Sequence, residues 1–150
     1  MSKTTTAKVI KLFVTKGNDK EKTRESVSKI SVDSSGIVGD KFYGKNSSRA
    51  ILITAIQSYD MALENGINID TGSLGENILI NINPYALLPG QKIKIGNTML
   101  EITQNCTLCK GLSTLNSKLP KLLKDDRGIF AKYVEGDTTI SLNDSVELLK

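Results

Sequence analysis

The segment QKIKIGNTMLEIT, residues 91–103, constrains the fold more than any other stretch of the chain. Ile93 and Ile95 alternate with lysines, Leu100 and Ile102 alternate in turn, and Gly96-Asn97 between them tolerates positive φ. Alternation of period two, closed by such a dipeptide, predicts a tight β-hairpin. Pro89-Gly90 just ahead of it predicts a type II turn. Similar runs recur along the chain. Ala7 to Val14 alternates, with Ile10, Leu12 and Val14 predicted on one face; Ile30 and Val32, then Ile78, Ile80 and Ile82, repeat the pattern. RAILITA (49–55) is apolar on both faces, as a central strand is. FAKYVE and SVELL predict further strands near the C-terminus.

Helices are few. One is predicted over Thr54 to Gly66, with Thr54 and Gln57 as a capping box, Ile56, Tyr59 and Leu63 on one face, and Gly66 as its stop. Between 107 and 127, Leu108, Leu112, Leu115, Leu119, Leu122 and Leu123 fall at helical spacings, and Pro120 divides them into two short helices. Residues 16–29, rich in charge, predict a solvated loop. The chain of 150 residues supports one core of ordinary size but not two. Many short strands with long connections predict a single domain over 1–150, a mostly β barrel with a few short helices.

With 39% hydrophobic and 24% charged residues, the composition is that of a globular protein. The net charge of +4 is spread along the chain. That argues against a nucleic-acid-binding protein and suits a small anionic ligand. No run approaches the roughly 20 apolar residues of a membrane span, and the N-terminus has no secretory pattern. The expected compartment is the cytoplasm, with no membrane partner and with thiols kept reduced. Histidine is absent, which removes the commonest general base and the commonest metal ligand. The two cysteines, Cys106 and Cys109, form one C-x-x-C pair. It can be a dithiol redox couple, half of a zinc site, or one working thiol with a neighbour. The lack of a second pair counts against zinc, and the preceding hairpin counts against a thioredoxin-like βαβ context.

Four polar clusters interrupt the strand pattern. GIVGDKFYGKNSSR sets Gly36, Gly39 and Gly44 around Asp40 and leads to Arg49; GSLGEN puts Glu76 and Asn77 at a strand start; the cysteine segment follows the hairpin; and DDRGIF places Arg127 and Gly128 ahead of another strand. Each alone reads as a turn or a surface charge, but strand-end residues also gather at a rim where binding sites lie. The ordered set resembles the MOSC domain family, named for the C-terminal domain of molybdenum-cofactor sulfurases. The matching residues are Gly36, Gly39, Asp40, Arg49, Gly75, Glu76, Asn77, Cys109, Arg127, Gly128 and Gly136, from about Lys8 to the C-terminus.

The resemblance implies a MOSC-type β-barrel and singles out Cys109. The family's working cysteine follows Thr-Gln, usually as Q-P-R-x-P-C; here the run is Gln104-Asn105-Cys106-Thr107-Leu108-Cys109, so Cys106 stands where arginine is usual. Lys41 and Phe42 follow Asp40 where a basic residue and His are common, and Asn143-Asp144 replaces a late Gly-Asp. The family implies a molybdenum-cofactor-binding or sulfur-carrier protein, with Cys109 as persulfide carrier or molybdenum ligand. Asp40, Lys41, Arg49, Glu76, Asn77 and Arg127 would bind molybdopterin, whose phosphate suits cations and whose metal suits soft sulfur. Partners implied are a cysteine desulfurase or molybdenum-cofactor enzymes. Two other activities stay open: reduction of N-hydroxylated compounds with electron-donating partner proteins, and dithiol chemistry using Cys106 and Cys109.

Overall fold

The computed structural model describes residues 7–16, 23–106 and 112–149. The strands are β1 (Val9–Lys16), β2 (Thr23–Val27), β3 (Lys29–Asp33), β4 (Gly36–Ile37), β5 (Ile51–Ala55), β6 (Ile78–Ile80), β7 (Lys92–Ile95), β8 (Thr98–Asn105), β9 (Ile129–Gly136), β10 (Thr139–Ser141) and β11 (Val146–Leu149). Helices are α1 (Ile56–Glu64), α2 (Leu112–Leu115) and α3 (Leu119–Leu122), with a 3-10 turn at Ser47–Arg49.

The strands form an eight-stranded sheet, β11-β7-β8-β9-β5-β6-β1-β2, and a three-stranded sheet, β10-β3-β4. The expectation of a mostly β chain with short helices holds, but the sheets are not closed into a barrel. β2 takes an edge of β1 along Leu12–Lys16, so only the residues before it meet the approach to β11. There Val9 N–H donates to Asp144 O, Val146 N–H donates to Ala7 O, and Lys8 bridges Ser145. The charged loop expected over 16–29 also needs correcting, because 23–29 supplies β2 and the start of β3. Pairing with β1 overrides the low strand propensity of its charged residues.

The hairpin expected from QKIKIGNTMLEIT is β7–β8, paired from Ile95–Thr98 to Lys92–Glu101. Gly96 at its tip has φ +61°, the positive value that the first central residue of a type II′ turn requires. Pro89-Gly90 makes the expected type II turn: Gln91 N–H donates to Leu88 O, and Gly90 has φ +95°. β5 is buried at every residue, as a central strand parallel to β6 and antiparallel to β9.

One large apolar cluster fills the inner face, including Val9, Leu12, Val14, Ile51, Ile53, Ile78, Ile80, Ile93, Ile95, Leu100 and Ile129. Each such side chain contributes about 1.5–3 kcal/mol when fully buried. In β1, Ile10 does not join Leu12 and Val14 as expected. A register irregularity between Val9 and Lys11 shifts the alternation, so Val9 faces this core while Ile10 packs on the helix side. The helix-side cluster joins Tyr59 and Ala62 of α1 to Leu74, Leu79, Leu112, Leu119 and Leu123.

Two details of α1 differ from expectation. Its N-cap is Ala55, without a side-chain cap, because the Thr54 hydroxyl donates to Arg127 O instead. Its buried face is Ser58, Tyr59 and Ala62, while Leu63 is exposed. Gly66 does follow its end with φ +78°. Pro120 lies in the first turn of α3, so the division of the leucine-rich stretch into two short helices stands.

Candidate functional site

The register of the central strands sorts the candidate residues onto faces. Residues directly opposite in neighbouring strands share a face. Asn105, Ile129, Ile53 and Ile78 pair in sequence across β8, β9, β5 and β6, on the side of the main core. The row beside it, Gln104, Phe130 and Leu52, lies on the other side. Asn77 extends that row: its N–H donates to Leu52 O at 2.9 Å, and its Oδ1 accepts from Leu52 N–H at 3.0 Å. Leu52, Phe130 and Cys106 form a small apolar cluster of their own there.

Three sequence-predicted residues are buried beneath this face and bonded to the protein itself. Asp40 accepts from Thr15 N–H (2.7 Å), Phe42 N–H (3.1 Å) and Asn77 Nδ2 (3.3 Å). Asn77 Nδ2 also donates to Phe13 O at 3.3 Å. One carboxylate and one amide therefore pin the 36–45 loop to β1, β5 and the start of β6. Glu76 is wholly buried; both its carboxylate oxygens lie within 2.8 Å of Tyr59 Oη, and Gly72 N–H donates to it at 2.9 Å. Tyr59 Oη accepts in turn from Gly72 and Leu74 N–H groups. Burial, and next the Glu76 charge, push the Tyr59 hydroxyl well above the ordinary tyrosine range. The 72–76 turn is thus wound around one buried hydroxyl–carboxylate pair.

The cationic candidates sit differently. Arg127 is half-buried; its Nε and Nη2 donate to Leu74 O at 3.1 and 3.0 Å, and its carbonyl accepts from Thr54. Gly75 has φ +92°, which favours glycine, and the Arg127 Nη2 lies 3.6 Å from where its Cβ would stand, an ordinary contact distance. A Cβ on Gly128 would meet Leu52 at 2.8 Å and Thr54 at 2.9 Å, so that glycine lets β9 start against β5. Arg49 ends the 3-10 turn, which packs against β5, β8 and β9 and is tied down by the Thr103 hydroxyl donating to Ser48 O. The Arg49 side chain is exposed and, among the described residues, has no hydrogen-bond or ion-pair partner. Lys41 is half-buried, with its Nζ 4.8 Å from the Phe42 ring centroid.

Cys106 is 2% exposed, and its N–H donates to Gly128 O. Cys109, the residue given the thiol's role by the sequence, lies outside the described residues, as do Thr107, Leu108 and Lys110. Among the described residues, no three of His, Cys, Asp or Glu gather closely enough to hold a metal ion. Residues 25–147 match the model of the MOSC domain. The chain belongs to the MOSC domain family.

Solved structures agree on the fold of this MOSC domain. The YUAD protein from Bacillus subtilis superposes with a TM-score of 0.78 at 19% identity, covering 96% of each chain. YiiM from Geobacillus stearothermophilus gives 0.70 at 15% identity, over 96% of this chain and 75% of that one. YiiM from Escherichia coli gives 0.66 at 16% identity, over 95% and 69%. No curated protein matches the sequence. No helix among the described residues is long and apolar enough to cross a membrane.

Sequence reasoning missed Tyr59, Leu52 and Phe130 as parts of the site. Nothing local marks them: Tyr59 reads as one more apolar helix position, and the other two as core strand residues.

Proposed function

We propose that this MOSC domain binds the molybdenum cofactor or carries sulfur for it, with Cys109 as the working thiol. The observation that carries this reading is the burial of Cys106 against Leu52 and Phe130. A buried thiol among apolar side chains is of the inert, structural kind, which favours Cys109 as the cysteine of the family pattern. The residues present fit the cofactor. It brings its own dithiolene sulfurs, so the absence of a protein metal cluster among the described residues is no obstacle, and one thiolate completes a soft ligand set. The Arg49 guanidinium, without a bonded partner among the described residues, suits its phosphate, with Lys41 of the loop tied to Asn77 and Arg127, whose guanidinium lies by Gly75, as further cations. Asp40, Glu76 and Asn77 serve this site from beneath, by holding the loops that carry those cations. When bound, the cofactor supplies a redox-active molybdenum.

In the sulfur-carrier role, the Cys109 thiolate attacks the terminal sulfur of a donor persulfide, such as that of a cysteine desulfurase. A new S–S bond forms on Cys109, the donor's S–S bond breaks, and the donor thiolate leaves with the electron pair. The expected compartment remains the cytoplasm. Native mass spectrometry of protein co-expressed with cofactor synthesis tests the proposal. It should show a pterin adduct or the mass of one added sulfur atom. Cys109→Ser should abolish both and Cys106→Ser should keep them; equal loading of Cys109→Ser overturns the reading.

A further inference from the structure

The loop between β4 and the 3-10 turn has a second property, independent of any cofactor. Its backbone is held from several sides. Val38 N–H donates to Ser31 O, Lys41 N–H to Thr15 O and Gly44 N–H to Ser35 O, all between 2.8 and 2.9 Å. The buried Asp40 carboxylate adds its bonds to Thr15, Phe42 and Asn77. Tyr43 Oη donates to Asp33 at 2.7 Å. Gly36, at φ +125°, leaves room for Ala50, whose Cβ would stand 2.7 Å from a Cβ added there.

On this rigid support the loop exposes three large apolar side chains: Val38 at 52%, Phe42 at 46% and Tyr43 at 39%. They are three of the eight exposed large apolar residues among those described, and they fall within six consecutive positions. Clustering of this kind, unlike single exposed residues, marks an interaction surface. Rigid aromatic groups lose little entropy on binding and are the usual anchors of interfaces. The surrounding charge is mainly positive. Between 33 and 49 the charged residues are Lys41, Lys45 and Arg49, against Asp33, which is bonded to the Tyr43 hydroxyl, and Asp40, which is turned inward. A second copy would bring like charges together at this patch, whereas carboxylates around an apolar pocket complement it.

We propose that Val38, Phe42, Tyr43 and Lys45 form a docking surface for a partner protein whose contact face carries carboxylates around an apolar pocket. The bonded Asp40–Asn77 pair puts this surface next to the Leu52 face, so the partner docks beside the candidate site rather than at a remote one. The proposal does not depend on what that site binds.

Selection of a displayed random-peptide library on the full chain tests it, with counter-selection on Phe42→Ser. Wild-type protein should enrich peptides combining Asp or Glu with large apolar residues. A synthetic peptide of the consensus should bind Phe42→Ser at least about tenfold more weakly. Lys45→Glu, and a rise in salt from about 50 to about 500 mM, should each weaken binding as well. Val38→Ser gives the same reading if Phe42→Ser does not fold, which its melting curve shows. Absence of an acidic-apolar consensus, or equal binding by the variants, overturns the proposal. So does binding to phosphatidylserine vesicles that Phe42→Ser abolishes without any peptide consensus, which assigns the patch to a membrane. Self-association lost in Phe42→Ser assigns it to a second copy and likewise overturns it.

Discussion

Asp40 and Arg49 belong to the same loop and do opposite work. Asp40 is buried, with its carboxylate divided among two backbone N–H groups and the Asn77 amide. Arg49 is exposed and without a bonded partner among the described residues. In the sequence both read as charged members of one polar cluster, GIVGDKFYGKNSSR. The difference teaches that a family's signature residues divide by role. The acids and the asparagine fix the loops to the sheet, while Arg49 stays exposed. Arg127 stands between the two groups, with its guanidinium bonded to Leu74 O yet set beside Leu52 and Gly75.

The contrast can be broken most sharply at Asp40. Asp40→Ala strands the Thr15 and Phe42 N–H groups and one Asn77 donor, and should cost about 3–5 kcal/mol, since unpaired buried groups cost about 1–3 kcal/mol each. Urea midpoints of the variant and wild type measure it. A loss below about 1 kcal/mol would show that the carboxylate is not a structural tie.

An intermediate effect is expected in alkali, from the hydroxyls beneath the site. Burial pushes Tyr85 up to about 12, and its Oη accepts from Ala55 N–H. Unfolded tyrosine releases its proton near pH 10, whereas the folded Tyr85 holds it until about pH 12. Its contribution is therefore complete below about pH 10 and is lost as pH rises to about 12, because deprotonation then favours the unfolded chain. Tyr59 is shifted in the same direction and acts with the same sign. Denaturant midpoints followed from pH 9 to 12 should fall less steeply in Tyr85→Phe than in wild type; parallel curves would remove this role.

The smallest change in stability belongs to Arg49. Arg49→Ala should shift the unfolding free energy by no more than about 0.5 kcal/mol, as exposed surface substitutions do. The same variant should retain about tenfold less pterin, the worth of one charge-assisted phosphate contact. Full retention, or a large loss of stability, would put Arg49 in Asp40's class instead.

Much of the fold was legible because its signals are local. The β7–β8 hairpin, the Pro89-Gly90 turn and the division of α2 from α3 at Pro120 each depend on residues within a few positions of one another. What failed depends on partners far away in sequence. Ile10 leaves the core because β1 and β6 are out of step at that point. Thr54 gives up capping because Arg127, 73 residues distant, offers a carbonyl. β2 exists because β1 has an edge to pair.

The sequence by itself determined the strand-rich character, the ordered polar motifs and, through them, the family. Period-two patterning and turn chemistry are properties of neighbouring residues and need no knowledge of the rest. Only the tertiary structure decided that Glu76 would face Tyr59, that Asp40 would tie down a loop while Arg49 stayed free of it, and that Cys106 would pack under Phe130. Those outcomes follow from strand register, which sets the face each side chain occupies and is fixed by pairing between distant segments.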